Sequence, residues 1–205
     1  MEKHLYQLKS LIGRGARQAI CLSVALLMAF ATTAIAQNDR PTKIDTSKLP
    51  QMEGLNVISK NLITAALPKP EHFEALADAG VDVVISVLSP TEESLPDLCA
   101  IQEAGLTFAS AQYSTAVPVA SMEMFRATME MFKGKNILVF CRRNYRSSTM
   151  VYIWNRLQTG KTDNNFLKGK VSMAELIETV EPSNRHKLYD YIKPIEKHYG
   201  ITLIK

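Results

Sequence analysis

Between Phe140 and Thr149 the chain runs FCRRNYRSST, the stretch richest in reactive side chains. Four residues separate Cys141 from Arg146, and Ser147 follows directly. A cysteine that ends a strand and is joined by a short loop to a helix start sits in a positive field. The loop amides turn inward, and the helix N-terminus adds partial positive charge. In such places cysteine pKa values fall from about 8.5 to as low as ~3.5. Arg146 can grip an oxyanion through two parallel hydrogen bonds, which a lysine cannot do. Ser147 can donate its hydroxyl to the sulfur or to a leaving group. Asn144 stands mid-loop, where a left-handed residue is expected, and asparagine tolerates that conformation next best to glycine. The chemistry on offer is attack by a Cys141 thiolate on an electrophile that carries anionic oxygens. The plainer alternative is a small buried strand-end cysteine with Arg142, Arg143 and Arg146 forming an ordinary basic loop.

The elements around this stretch have to deliver it to a sheet edge. Leu55 to Ile58 and Leu62 to Ala66 predict two short strands around a turn at Ser59, Lys60 and Asn61. Pro68 and Pro70 end the second. Phe73, Leu76 and Ala77 give Glu71 to Ala79 a helical period, closed by Gly80. Val81 to Leu88 (VDVVISVL) is the β-branched run of a central parallel strand. A helix over Leu95 to Ala104 with Pro96 in its first turn, a strand over Leu106 to Tyr113 and a helix over Val119 to Phe132 follow. In the last of these, Met122, Phe125, Met129 and Phe132 form a stripe expected to be core. Asn136 to Phe140 (NILVF) is the strand that runs into Cys141, and a helix follows over Ser147 to Leu157, with Ser147, Ser148 and Thr149 as N-cap candidates. Met173 to Val180 and Asn184 to Tyr199 are helical, with a break expected at Pro194. Strands alternating with helices predict an α/β fold with a central, mainly parallel sheet flanked by helices. Ligands bind such sheets at the C-terminal strand ends, where the loops 89–93, 113–118 and 141–146 converge.

The first 36 residues read as a leader rather than fold. A basic start (Lys3, Lys9, Arg14, Arg17) precedes the uncharged run Ala19 to Ala36, which closes on Ala34-Ile35-Ala36. That is a secretory signal pattern, with cleavage expected after Ala36 and a periplasmic or secreted product. The alternative is an uncleaved membrane anchor, for which a run of ~18 residues is marginal. The expected organisation is residues 1–36 signal peptide, 37–53 flexible lead-in and 54–205 one domain. The full chain carries 24 Lys and Arg against 20 Asp and Glu. Without Lys3, Lys9, Arg14, Arg17 and Glu2 these become 20 and 19, a net charge of +1. No global field argues for nucleic acid or for a membrane surface as partner. Two cysteines remain after the leader, Cys99 and Cys141. In an oxidising compartment they could pair, although Cys99 beside Leu98 and Ile101 reads as a buried core thiol. The four histidines are scattered, so no metal or cofactor is expected.

Three stretches then carry a family resemblance: VISKNLITAALPKPEHFEALADAGVDVVISVLSPTEES, AGLTFASAQYSTAVPV and ILVFCRRNYRSSTMVYIW. Together they resemble the phosphatase-like domain first seen fused to β-lactamase-like hydrolases, and particularly its secreted bacterial, tyrosine-phosphatase-like branch. The resemblance covers roughly Leu55 to Leu157 and implies a dual-specificity-phosphatase-like fold. It implies Cys141 as nucleophile and Arg146 as phosphate clamp, with Arg142, Arg143, Asn144, Tyr145, Arg146 and Ser147 forming the phosphate cradle. The implied substrate is a phosphorylated small molecule or phosphoprotein.

Three departures stand out. The loop is one residue shorter than the Cys-x5-Arg of tyrosine phosphatases, a length also found in rhodanese-like sulfur transferases. Phe140 replaces the usual histidine. The segment 113–118 (YSTAVP), where the acid of such enzymes usually sits, has no carboxylate. Glu92 and Glu93 are candidates for the acid by position, with capping of the following helix as their plainer role. Three activities therefore stand side by side: phosphate-monoester hydrolysis, sulfur transfer or thiol redox chemistry, and inactive anion binding.

Overall fold

The computed structural model describes residues 42–89, 92, 96–161 and 172–204. The leader, Glu93, Leu95 and residues 37–41 of the lead-in lie outside them.

Five strands form one sheet: β1 (Asn56–Ser59), β2 (Leu62–Ala65), β3 (Val83–Ser86), β4 (Thr107–Ser110) and β5 (Ile137–Phe140). Their order is β1-β2-β5-β3-β4. β1 and β2 make an antiparallel hairpin, and every other pairing is parallel. Burial explains the order. All four residues of β2, β3 and β5 are buried, as expected of strands covered on both faces, while β1 and β4 alternate or stay partly exposed and take the edges. β2, β3, β4 and β5 are shorter than the runs that predict them, because the flanking residues turn into loops, while β1 keeps four residues shifted by one.

Six helices are described: α1 (His72–Asp78), α2 (Leu98–Glu103), α3 (Pro118–Met131), α4 (Tyr145–Thr159), α5 (Met173–Glu178) and α6 (Pro182–Tyr199). α4 packs on β2 and β5 and touches α3, which in turn packs on α6. Met122, Phe125 and Met129 of α3 are core, as their spacing requires. Gly80 and Gly105 take positive φ after α1 and α2, the conformation that stops a helix without a Cβ clash.

Four expectations need correction. The stretch from Thr42 is not a loose lead-in: Ile44 is 4% exposed, its amide donates to the Lys60 carbonyl (2.7 Å), and Thr46–Lys48 forms a 3₁₀ turn. α2 starts at Leu98 with Pro96 outside it, because the Asp97 carboxylate accepts from the Ala100 amide (3.0 Å) and sets the start. α6 starts at Pro182 and runs unbroken through Pro194, its buried face of Leu188, Tyr191, Ile192 and Ile195 held against the core on both sides of the proline. Cys99 is exposed, not core, and both Cys99 and Cys141 are free thiols.

Candidate active site

The register places Ala65, Ser86, Ser110 and Phe140 at one sheet edge. The Phe140 carbonyl accepts from Val87 (2.9 Å) and the Cys141 amide donates to Ala65 (3.4 Å), so the cysteine continues directly from the central strand. Its side chain is 1% exposed.

Beyond it the chain reverses at Asn144, the one non-glycine residue with positive φ (63°) among the described residues. Asn144 is buried and ties the loop down. Its amide nitrogen donates to the Gly54 carbonyl and to Thr64 Oγ1 (3.0 Å). Its side-chain oxygen accepts from Ser147 Oγ (2.8 Å) and Ser148 Oγ (3.2 Å). α4 therefore begins at Tyr145, two residues before the expected start. Ser147, Ser148 and Thr149 are not caps but buried residues of its first turns. The first backbone bond of the helix runs from the Ser148 amide to Asn144 (3.2 Å), so the Arg146 and Ser147 amides stay outside the ladder. Ser147 Oγ lies 3.3 Å from Cys141 Sγ.

Arg146 is the second anchor. Its Nη1 and Nη2 donate to Glu92 Oε2 and Oε1 at 2.5 and 2.6 Å, a two-pronged pair whose side chains are 19% and 17% exposed. Glu92 also accepts from the Ser89 amide (2.6 Å). Burial acts to raise the Glu92 pKa. The hydrogen bonds from Arg146 and Ser89, with the charges of Arg146 and Arg142, outweigh it and hold the carboxyl below its ordinary range. Burial likewise works against the Arg146 charge, and Glu92 and Cys141 more than offset it. A carboxyl so held is a poor proton donor, and Asp97 rather than Glu92 caps α2. Neither role expected for Glu92 is the one observed: it positions the arginine. A guanidinium has five N–H donors, so three remain for an anion.

Tyr113 supports Arg146 from the other side, with the guanidinium carbon 5.6 Å from its ring centroid. Tyr113 stacks on Tyr191 (4.2 Å between centroids) and donates to the Lys187 carbonyl (2.9 Å). Burial, joined by Tyr191, pushes its hydroxyl far above the ordinary range despite Arg146, so it stays a neutral donor.

Cys141, Arg142, Arg143, Tyr145 and Arg146 line one cleft of about 760 Å³, together with Ser89, Glu92 and residues 113–116. The three loops expected at this edge do meet there. Asn144 and Ser147 lie beneath the cleft, not on its wall. Arg142 and Arg143 are exposed, and Tyr145 Oη donates to the Thr179 carbonyl (3.1 Å). A fourth wall escaped the sequence: Val180, Glu181, Asn184, Lys187 and Leu188, from the α5–α6 junction. The sequence pattern begins that helix at Asn184, and nothing in the sequence says that its start lines the same cleft as Cys141.

No family model matches the chain, and no curated protein matches it. Solved structures do. A candidate phosphatase (DUF442) from Shewanella putrefaciens CN-32 matches with a TM-score of 0.56 at 24% identity, over 71% of this chain and 95% of that one. A mutant form of Tk-PTP matches with a TM-score of 0.51 at 15% identity, over 71% and 96%. Likeness at these identities establishes architecture: this chain has the α/β fold of the tyrosine-phosphatase-like proteins.

Proposed function

We propose that the chain is a cysteine-dependent phosphatase that hydrolyses phosphate esters through a phosphocysteine intermediate. The observation that carries this reading is Cys141 Sγ on a cleft wall, 3.3 Å from the Ser147 hydroxyl, at the start of α4, with three Arg146 donors free of Glu92. In this reading the Cys141 thiolate attacks phosphorus while the loop amides and Arg146 take the charge on the three equatorial oxygens. The ester oxygen leaves with the bonding pair. Water then attacks the phosphocysteine, the S–P bond breaks, and the Ser147 hydroxyl turns from Asn144 Oδ1 to donate to the sulfur that regains negative charge. The names of the structural neighbours support a phosphorylated substrate. The leader supports action outside the cytoplasm, in the periplasm or beyond.

The test is p-nitrophenyl phosphate hydrolysis by reduced protein. Turnover is expected, blocked by vanadate and reduced about 10³-fold or more in Cys141→Ser. Folded, reduced protein with no turnover above Cys141→Ser would overturn the reading. Sulfite and thiocyanate from thiosulfate and cyanide would replace it with sulfur transfer.

A further inference from the structure

A departing ester oxygen needs a proton, and the segment 113–118 has no carboxylate to supply one. Other groups on the cleft wall are committed elsewhere. Tyr113 and Tyr145 donate their hydroxyl protons to the carbonyls of Lys187 (2.9 Å) and Thr179 (3.1 Å). Glu92 is pinned on Arg146 by two hydrogen bonds. Among the described residues of the wall one carboxylate is left, Glu181.

Glu181 holds the N-cap position of α6, where an acidic side chain ordinarily accepts from helix amides, yet it makes no capping bond. It is exposed, and its carboxylate has no ion pair or hydrogen bond with a described residue. The backbone that carries it is fixed all the same. Arg185 donates Nε to the Val180 carbonyl (2.9 Å), and Nη1 and Nη2 to the Glu178 carboxylate (2.5 Å) and carbonyl (2.7 Å). Tyr145, from the loop of the nucleophile, ties down Thr179, and Tyr113, against Arg146, ties down Lys187. These two bonds attach the α5–α6 junction to the anion loop on both sides of Glu181. A free carboxylate on a held backbone thus borders the cleft that Cys141 also lines.

From this placement, and resting on the phosphatase reading, we infer that Glu181 is the general acid and base of the reaction. As Cys141 attacks phosphorus, the bond from phosphorus to the ester oxygen breaks and its electron pair stays on that oxygen. The Glu181 carboxyl gives the oxygen its proton, and the alcohol departs neutral. Glu181, now a carboxylate, takes a proton from the water that attacks the phosphocysteine. The S–P bond breaks, inorganic phosphate leaves, and thiolate and carboxyl are both restored.

The experiment measures kcat/KM of reduced protein for phenyl phosphate and for p-nitrophenyl phosphate, at about pH 5.5, where carboxyl groups still hold protons part of the time. Phenol, with a pKa of about 10, leaves poorly without a proton, whereas p-nitrophenolate leaves well. Glu181→Gln changes an exposed side chain and should keep its melting temperature. It should lose about 10²-fold or more on phenyl phosphate and about tenfold or less on p-nitrophenyl phosphate. Equal losses on both esters, or none on either, would overturn the inference, while Cys141-dependent p-nitrophenyl phosphate turnover keeps the phosphatase reading intact. The same holds if the unaltered protein turns over p-nitrophenyl phosphate but not phenyl phosphate, since no acid then acts. Glu93→Gln is measured in parallel, and a selective loss there in place of Glu181→Gln would assign the proton to Glu93 and overturn the inference. Absence of Cys141-dependent turnover of either ester would remove both readings.

Discussion

Glu92 and Arg146 meet through two short, mostly buried hydrogen bonds, and this pair decides how the loop arginine is presented. Exposed ion pairs contribute about 0–1 kcal/mol, whereas breaking a buried one costs about 3–5 kcal/mol. At their partial exposure, Glu92→Gln should destabilise by about 2 kcal/mol in urea unfolding. It should also raise KM for p-nitrophenyl phosphate more than it lowers kcat, because the guanidinium loses its support and keeps its charge. The sign with pH is fixed by the lowered Glu92 pKa. Its stabilising contribution is complete above the ordinary value of 4.5 and is lost as pH falls through the lower folded-state value. The stability gap between the two proteins should therefore be full at neutral pH and close in acid. Matching acid limbs for both would show the pair to be inert. The sequence offered Glu92 as a candidate acid or a helix cap, not as the partner of Arg146. Its pairing spans residues 92 and 146, and contacts of such separation leave no local pattern.

At the scale of elements, the loop and α4 are joined by one side chain. Asn144 supplies the left-handed turn, as its position in the motif foretold. It also bonds Gly54 before β1 and Thr64 on β2, which no motif states. That tertiary use explains the misplaced helix start: Ser147 and Ser148 turn their hydroxyls inward to Asn144, so they serve the loop and not the cap. Asn144→Ala should cost about 3 kcal/mol, from backbone strain and from polar groups left unpaired. Asn144→Gly should cost less, since it removes the strain but not the lost bonds. Urea midpoints for the two variants separate these causes, and equal losses would mean that the backbone contributes nothing.

For the whole molecule, the parallel core was legible because β2, β3 and β5 are apolar on both faces and each is followed by a turn signal. The start of the folded body was not. Residues 42–53 look polar and proline-interrupted, yet Ile44 is buried in the core, Leu49 and Met52 pack against it, and the Asp45 amide bonds Ala79 (2.8 Å). A protein beginning at residue 54 should be less stable than one beginning at residue 37 by at least about 1.5–3 kcal/mol, the value of burying Ile44 alone. Equal melting temperatures would return this stretch to the status of a free tail. The central place of β5 has a kinetic consequence as well. A strand bonded on both sides opens only when its neighbours do, so its amides should exchange with solvent water last, after those of β1 and β4. Cys141 hangs from that strand. Breathing at the edges of the sheet would therefore disturb Gly54 beside β1 and Tyr113 beyond β4, and with them the supports of Asn144 and Arg146, before it displaces the nucleophile itself.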